Sequence, residues 1–260
     1  MGTSQVQGSL WSVRARDFAQ IIEPFALPLY EAVFDAAGVE AGTKLLDVGC
    51  GPGLAVQLAS NRGAHVSGLD AAEASLVIAR ERTPEGDFRA GEMEDLPWAD
   101  NTFDVVTGFN AFQYAADVLN ALREARRVSR PGGRVVMAVL ARPEDCDISA
   151  LMPALGKFLP PPPPGAPGPF ALSAPGRVEA LLEQANLSPL VSGEVDCPFE
   201  FPDLATAVRG NMSTGPAAFA IRQAGPEAVE QAIAERLSPF RTSEGRYRLR
   251  NRMRYVIAAV

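Results

Sequence analysis

The 260-residue chain has only three cysteines, Cys50, Cys146 and Cys197, and they lie far apart. A small, odd number at wide spacing argues against a disulfide framework and against a cysteine zinc site. We therefore predict no metal centre. This cysteine usage is typical of a protein of the reducing cytosol, so we expect a cytoplasmic location.

Long apolar runs are also missing, because no stretch approaches the ~20 residues that a membrane-spanning helix needs. The first ten residues, MGTSQVQGSL, lack the basic start and apolar segment of a signal peptide. The formal net charge is −7, whereas binding to nucleic acid favours a basic face. We expect neither a membrane nor a nucleic acid as partner, and nothing in the pattern indicates an oligomeric state.

Apolar strands and amphipathic helices alternate between residues 44 and 140. The predicted strands are 44–49, 65–70, 87–92, 103–109 and 134–140, and the predicted helices are 54–61, 72–82 and 118–129. Such alternation with short connections predicts βαβ units and therefore an α/β fold with a doubly wound, Rossmann-like parallel sheet. Ligands bind these sheets beyond the carboxyl ends of the strands.

The remaining residues are predicted to surround this core within one domain, 1–260. We expect an N-terminal helical arm at 1–40, a cofactor-binding core at 41–140, and a final strand at 250–260. Two insertions, 141–174 and 197–247, are expected to cover the carboxyl edge as a helical lid. The first contains five consecutive prolines and predicts a stiff connector; a ligand for a proline-recognition module is the alternative.

The stretch LLDVGCGPG, residues 45–53, carries three glycines in five positions after an apolar strand. Such density indicates a tight turn or a close approach of the backbone to a ligand. The dinucleotide pattern G-x-G-x-x-G fails, since Leu54 and Val56 stand where its last glycine belongs. A P-loop fails because no Lys-Ser/Thr pair follows. The turn thus favours a smaller ligand with a carboxylate or a ribose.

Asp70 ends the next strand, 17 residues after Gly53. An acid at this place accepts hydrogen bonds from ribose hydroxyls. The alternative is an N-cap for the helix that begins after Ala71-Ala72. Together with the glycine turn, the position favours ribose.

Four motifs in this order, LLDVGCGPG, SGLD, GEMEDLPWADNTFDVV and EARRVSRPGG, resemble the class I S-adenosylmethionine-dependent methyltransferases. The chain is most similar to their small-molecule group, which includes quinone-biosynthesis (type 11) enzymes. The resemblance covers about residues 40–140. It implies a seven-stranded, mostly parallel sheet and S-adenosyl-L-methionine as cofactor, with S-adenosylhomocysteine as product.

The resemblance also implies roles for individual residues. Asp47 would order the turn and reach the methionine amino group, Asp70 would hold the ribose hydroxyls, and Glu92 with Met93 would read the adenine. Glu92 departs from the family, where aspartate is usual. The full implied set is Asp47, Gly49, Cys50, Gly51, Gly53, Asp70, Ala71, Glu92, Met93 and Asn110.

Methyl transfer from a sulfonium needs the acceptor held in line with water excluded, while a general base is optional. The only histidine, His65, begins a strand and so lies away from the ligand edge; we expect it to be structural or solvated. Candidates for the acceptor side follow the fourth strand: Asn110, Gln113 and Tyr114. The alternative is that Tyr114 and its neighbour Phe112 merely pack the loop.

Two further groups extend the predicted site. In the arm, Trp11 is expected to close over the cofactor, and Arg14 or Arg16 to meet its methionine carboxylate; an amphipathic helix capping the sheet is the alternative. Five arginines alternate between Arg246 and Arg254. On a strand they would share one face, either attracting an anionic acceptor or forming a solvated edge hairpin.

The sequence therefore predicts a methyltransferase that transfers the methyl group of S-adenosylmethionine to a small-molecule acceptor. The alternative is a cofactor-binding protein of the same fold with a non-methylating or regulatory role. A nucleic-acid or protein methyltransferase is disfavoured by the acidic charge and by the absence of an Asn/Asp-Pro-Pro-Tyr/Phe motif.

Overall fold

The computed structural model describes residues 2–159 and 168–260. Nine strands are present in this part of the chain: β1 Lys44–Val48, β2 His65–Asp70, β3 Asp87–Ala90, β4 Phe103–Phe109, β5 Ser129–Leu140, β6 Ser188–Asp196, β7 Phe199–Phe201, β8 Tyr247–Leu249 and β9 Arg252–Ala259. Seven of them form one sheet in the order β3-β2-β1-β4-β5-β9-β6, and β7 pairs with β8 in a small separate sheet.

The large sheet is parallel from β3 through β5, and β9 runs antiparallel to both of its neighbours, β5 and β6. The prediction of a doubly wound, mostly parallel seven-stranded sheet is confirmed. Two strand boundaries differ most, because β3 ends at Ala90 instead of residue 92 and β5 begins at Ser129 instead of residue 134. Ser129 pairs with Phe103, and the register then shifts before Arg134 pairs with Val105. The shift accommodates the Pro-Gly-Gly turn, in which Gly132 has φ +75°.

Eleven helices accompany these strands in the described residues: α1 Ser4–Trp11, α2 Ala15–Asp17, α3 Leu27–Ala37, α4 Leu54–Asn61, α5 Glu73–Arg82, α6 Val118–Val128, α7 Met152–Gly156, α8 Arg177–Gln184, α9 Leu204–Asn211, α10 Gly215–Ala224 and α11 Pro226–Leu237. A π-helical turn, Phe18–Ile22, and a 3₁₀ turn, Glu23–Ala26, join α2 to α3. None of the helices described is long and apolar enough to cross a membrane.

Helices cover both faces of the large sheet. Residues of α3, α4 and α5, such as Phe34, Val56 and Leu76, share one buried cluster with the sheet. On the other face, α6 and α8 contribute Leu122 and Leu182 to a second cluster. Strands covered on both faces read as continuous apolar runs, as β5 does. The carboxyl ends of the parallel strands remain as the edge where side chains can meet a ligand.

A third buried cluster lies beyond this edge. It joins Ile21 and Ile22 of the N-terminal arm to Leu151, Phe201 and Ile233, which come from the two predicted insertions. Arm and insertions therefore share one small core, although the predicted domain boundaries themselves stay a prediction. The proline run at 160–169 lies largely outside the described residues.

Candidate active site

The loops that follow β1, β2, β3 and β4 meet at one cavity of about 250 Å³, whose other walls come from the arm and the insertions. Most predicted site residues line it. Those in its wall are Trp11, Asp47, Gly49, Cys50, Gly51, Asp70, Ala71, Glu92, Met93, Asn110 and Tyr114. Gly53, Arg16 and Gln113 lie outside the wall.

The three glycines of the turn all have positive φ, +73° at Gly49, +52° at Gly51 and +82° at Gly53, a region that L side chains rarely adopt. Their surroundings differ. A Cβ at Gly49 would come within 2.5 Å of the Cβ of Ala111, and one at Gly53 within 2.7 Å of the Cβ of Ala79. A Cβ at Gly51 would meet no atom within 4 Å. Gly51 is thus the glycine that leaves open space at the cavity.

Asp70, at the end of β2, stabilises the glycine turn by hydrogen bonds. Its Oδ2 accepts the N–H of Gly51 at 2.8 Å, and its Oδ1 accepts the N–H of Ala72 at 2.7 Å. Burial raises the pKa of this carboxyl, while the hydrogen bonds from Ala72 and Gly51 oppose that shift. The N-cap alternative is wrong, because Ala72 is the N-cap residue of α5 and no side chain caps that helix. Each oxygen of Asp70 that accepts one backbone N–H can still accept a second donor from a ligand.

Asp47 lies deepest among the acids, with 2% of its surface exposed. Its Oδ1 accepts the hydroxyl of Thr107 at 2.7 Å. Burial raises the pKa of Asp47 to about 8, the nearby carboxyls of Asp70 and Glu23 raise it further, and the Thr107 hydroxyl opposes them. A cationic ligand group would favour the ionised form of Asp47.

Glu23 is a site residue that the sequence analysis missed. It lines the cavity, is 4% exposed, and accepts the N–H of Leu54 at 3.0 Å on Oε1. Its Oε2 accepts Nη1 of Arg82 at 2.5 Å. Arg82 in turn donates to the carbonyls of Pro52 and Ala19. A signal was present, because Glu23 follows Ile21-Ile22 in an apolar helical stripe, where an unpaired acid would be costly.

The predicted adenine readers are engaged by the arm. Glu92 Oε2 accepts the N–H of Ser4 at 2.9 Å, and its Oε1 accepts the N–H of Met93 at 3.0 Å. The Thr3 hydroxyl donates to the carbonyl of Tyr114 at 2.7 Å. The beginning of α1 therefore lies directly on the Glu92 carboxylate, while the N–H of Met93 is held by Glu92 itself.

Trp11 closes the wall of the cavity from the end of α1. Its ring meets Phe18 edge-on at 5.4 Å between centroids and Tyr114 at 6.0 Å. Gly215 of α10 lies against the indole, and a Cβ there would come within 2.7 Å of it. Burial also raises the pKa of Tyr114, so its hydroxyl stays protonated.

Asn110 follows β4 with φ +53°, and its N–H donates to the carbonyl of Ala138 at 2.8 Å. Positive φ in a non-glycine residue is often found at functional sites. Gln113 is 1% exposed and donates from Nε2 to Asn110 Oδ1 at 2.5 Å. Gln113 therefore orients Asn110 from behind, and it does not line the cavity as a catalytic candidate would.

The prediction for Arg16 is corrected. Its side chain is 65% exposed, and its guanidinium pairs with Glu81 at 3.0 Å, outside the cavity. Arg14 pairs with Asp17 instead. The sequence pattern indicates that an arginine lies near a site, but it does not determine the direction in which the long side chain extends.

The alternating arginines also pair within the protein. Arg248 contacts Glu200, Arg250 contacts Asp147, Arg252 contacts Asp196 and Arg254 contacts Glu179. None of these arginines lines the cavity. These ion pairs argue against attraction of an anionic acceptor, and the edge-hairpin interpretation is wrong as well. β8 pairs with β7 in the small sheet, whereas β9 lies between β5 and β6 inside the large sheet. His65 is exposed at the start of β2, as predicted.

Comparison with known proteins adds to this geometry. Residues 46–137 match the family model described as a methyltransferase domain. The demethylmenaquinone methyltransferase of Renibacterium salmoninarum is 37% identical over 111 residues, which cover 43% of this chain and 47% of that protein. The malonyl-[acyl-carrier protein] O-methyltransferase of Erwinia billingiae is 31% identical over 174 residues, covering 67% and 65%. The chain thus spans about half the length of the first relative.

A crystal structure of a SAM-dependent methyltransferase from Aquifex aeolicus has the same fold. It superposes with a TM-score of 0.53 at 22% identity, covering 70% of this chain and 92% of that one. The family model, the relatives and the sheet order all agree with the resemblance found in the motifs. Residues 46–137 thus match the methyltransferase domain family, and the chain has the class I methyltransferase fold.

Proposed function

We propose that the protein binds S-adenosyl-L-methionine in this cavity and catalyses transfer of its methyl group to a small-molecule acceptor. The observation that carries the proposal is the acidic wall formed by Glu23, Asp47 and Asp70 beside the open space at Gly51. Burial raises the pKa of all three carboxyls. A ligand with net positive charge relieves that cost, and this cofactor carries an ammonium and a sulfonium group against a single carboxylate.

The same wall disfavours a nicotinamide dinucleotide. Among the described residues that line the cavity there is no lysine, arginine or histidine. A pyrophosphate placed there would face carboxylates without a compensating cation. The turn also lacks the third glycine of the dinucleotide pattern.

Each residue group has a role in this proposal. Asp70, already fixed by Gly51 and Ala72, presents acceptors for ribose hydroxyls, and Asp47 with Glu23 presents negative charge to the ammonium group. The cofactor, when bound, supplies a methyl group that is already activated on sulfur. Asn110 and Tyr114 border the space left for the acceptor, and the aromatic walls exclude water from it.

Calorimetric titration with S-adenosylhomocysteine, beside NAD and NADP, tests the cofactor. We expect micromolar binding of the first ligand only. Gly51→Ala should weaken it at least about tenfold, because the new Cβ enters the space at the cavity. Gly42→Ala is the matched control, since Gly42 also has positive φ, +86°, and open space around it but lies outside the cavity wall.

Asp70→Asn provides a second variant for the same titration. The amide keeps the shape but removes the charge, and we expect weaker binding, whereas Glu81→Gln at the exposed pair should bind as the wild type does. Binding of NAD with no binding of S-adenosylhomocysteine would contradict the proposal. Methyl transfer itself is checked with labelled cofactor and a panel of phenols, quinols and amines.

A further inference from the structure

The part of the cavity away from the glycine turn is almost entirely apolar. Its walls come from the arm, from β4 and from the segments beyond the sheet edge. Phe25 and Phe199 stack there with ring centroids 4.8 Å apart, and Tyr30 meets Phe109 edge-on at 4.7 Å. Leu151 and Met152, from the first insertion, line the same space. We call these six residues the apolar chamber.

The ionisable side chains that border the chamber are acidic. The acids at its border are Glu23 and Asp47, and no cationic side chain of the described residues lines the cavity. Residues 160–167, which belong to the same insertion, are proline, glycine and alanine and carry no charge either. Arg82 lies behind Glu23 and is held by it and by two backbone carbonyls.

Tyr30 supplies a polar group at the junction of the chamber and the acids. Burial and the nearby carboxyls of Glu23 and Asp47 raise its pKa well above the ordinary value for tyrosine. The hydroxyl therefore stays protonated and can donate a hydrogen bond at physiological pH. A neutral oxygen or nitrogen of a ligand would satisfy it.

We propose that the acceptor is an uncharged, largely apolar molecule with an aromatic or alkyl body and a single polar head, and that carboxylates and phosphates are excluded. This inference rests on the proposed function, because it assigns the substrate class of the same site. An anion entering the chamber would lose its hydration, find no cationic side chain among the described residues, and lie beside the carboxyls of Glu23 and Asp47. An apolar body gains free energy from every Å² that it buries against the aromatic rings.

Two fluorescent probes of nearly equal shape test the charge rule. N-phenyl-1-naphthylamine is neutral, and 8-anilinonaphthalene-1-sulfonate is the same body with an added sulfonate. With S-adenosylhomocysteine present, we expect saturable binding of the neutral probe, at least about tenfold tighter than that of the sulfonate. Equal or tighter binding of the sulfonate to the wild type would overturn the inference, as would no binding of the neutral probe.

A substitution in the chamber tests whether both probes bind there. Met152→Arg adds a cation to the wall, so it should weaken binding of the neutral probe and strengthen binding of the sulfonate. Met152→Leu is the matched control and should keep the wild-type preference. An unchanged preference in Met152→Arg would show that the probes bind elsewhere and would overturn the inference.

The titration with S-adenosylhomocysteine is run first on the same samples, so the two proposals fail separately. If the cofactor binds but the neutral probe is not preferred, the proposal of an apolar acceptor is refuted and the proposed methyltransferase function stands. If the neutral probe is preferred but S-adenosylhomocysteine does not bind, the proposed cofactor is refuted and the apolar chamber remains as a binding site for neutral molecules.

Discussion

The three carboxyls of the cavity whose pKa is raised differ in the groups that compensate their charge. Glu23 has the guanidinium of Arg82, Asp70 has two backbone N–H groups, and Asp47 has the single hydroxyl of Thr107. Hydrogen bonds from neutral donors compensate a buried charge less than an ion pair does. Asp47 is accordingly the acid whose pKa rises to about 8.

This shift predicts a pH dependence of stability without ligand. Between pH about 4 and about 8, Asp47 is protonated in the folded protein and ionised in the unfolded chain. The folded state then binds more protons, so the contribution of Asp47 to the free energy of unfolding falls as pH rises through this window. Urea unfolding from pH 5 to pH 8 should show less loss of stability in Asp47→Asn than in the wild type.

The comparison has an internal control. Asp203→Asn changes an exposed carboxyl that caps α9 and whose pKa is lowered by the Thr206 N–H, so it should not flatten the decline. A wild-type slope unaffected by Asp47→Asn would show that Asp47 does not titrate in this range.

At the residue scale, the sequence motifs were sufficient to predict the positions of those site residues whose location is determined by the backbone. Asp47 and Asp70 lie at the carboxyl ends of β1 and β2, and Gly51 follows β1, so their meeting at one edge of the sheet was predictable. Arg16 and Glu23 were not, because their side chains reach partners more than 50 residues away, at Glu81 and Arg82. Such choices depend on tertiary contacts that a local pattern does not contain.

At the scale of elements, the pair of Glu23 and Arg82 fastens the arm to the glycine turn. Arg82, at the end of α5, also donates to the carbonyls of Ala19 in the arm and Pro52 in the turn. Removing one partner of a buried pair leaves an uncompensated charge, which costs about 3–5 kcal/mol. We expect Arg82→Gln to lower the free energy of unfolding by about 3 kcal/mol, measured by urea denaturation.

A double variant separates lost charge compensation from lost packing. Adding Glu23→Gln to Arg82→Gln removes the stranded carboxylate and should restore part of the lost stability. Arg16→Gln breaks an ion pair on the surface and should leave the unfolding curve unchanged. Equal effects of Arg16→Gln and Arg82→Gln would refute the special role of the buried pair.

Elements were predictable where periodicity was strong. The five strands and three helices between residues 44 and 140 follow from apolar alternation alone, with small shifts at β3 and β5. The short pair of β7 and β8 did not, because three-residue strands joined across 45 residues carry no local signal. There, the alternating arginines indicated exposure but not their partners.

At the scale of the whole molecule, the cavity forms only where distant segments meet. Its acidic wall comes from the predicted core and from Glu23, while the apolar chamber needs the arm and both insertions. The third buried cluster joins those same segments. We call the arm and the two insertions the cap. Because their shared cluster lies directly over the sheet edge, we expect the cap and the sheet to unfold as one cooperative unit.

The two tryptophans report on these two parts. Trp11 packs in the cap against Phe18, Tyr114 and Gly215, and Trp98 packs on the sheet against Phe103. Trp98→Phe leaves only the reporter in the cap, and Trp11→Phe leaves only the reporter on the sheet. We expect the fluorescence transition in urea to coincide with the far-ultraviolet circular dichroism transition within each variant, as two-state unfolding requires. If Trp11 fluorescence changes at a clearly lower urea concentration than the circular dichroism of the same variant, the cap unfolds separately and the prediction of a single domain fails.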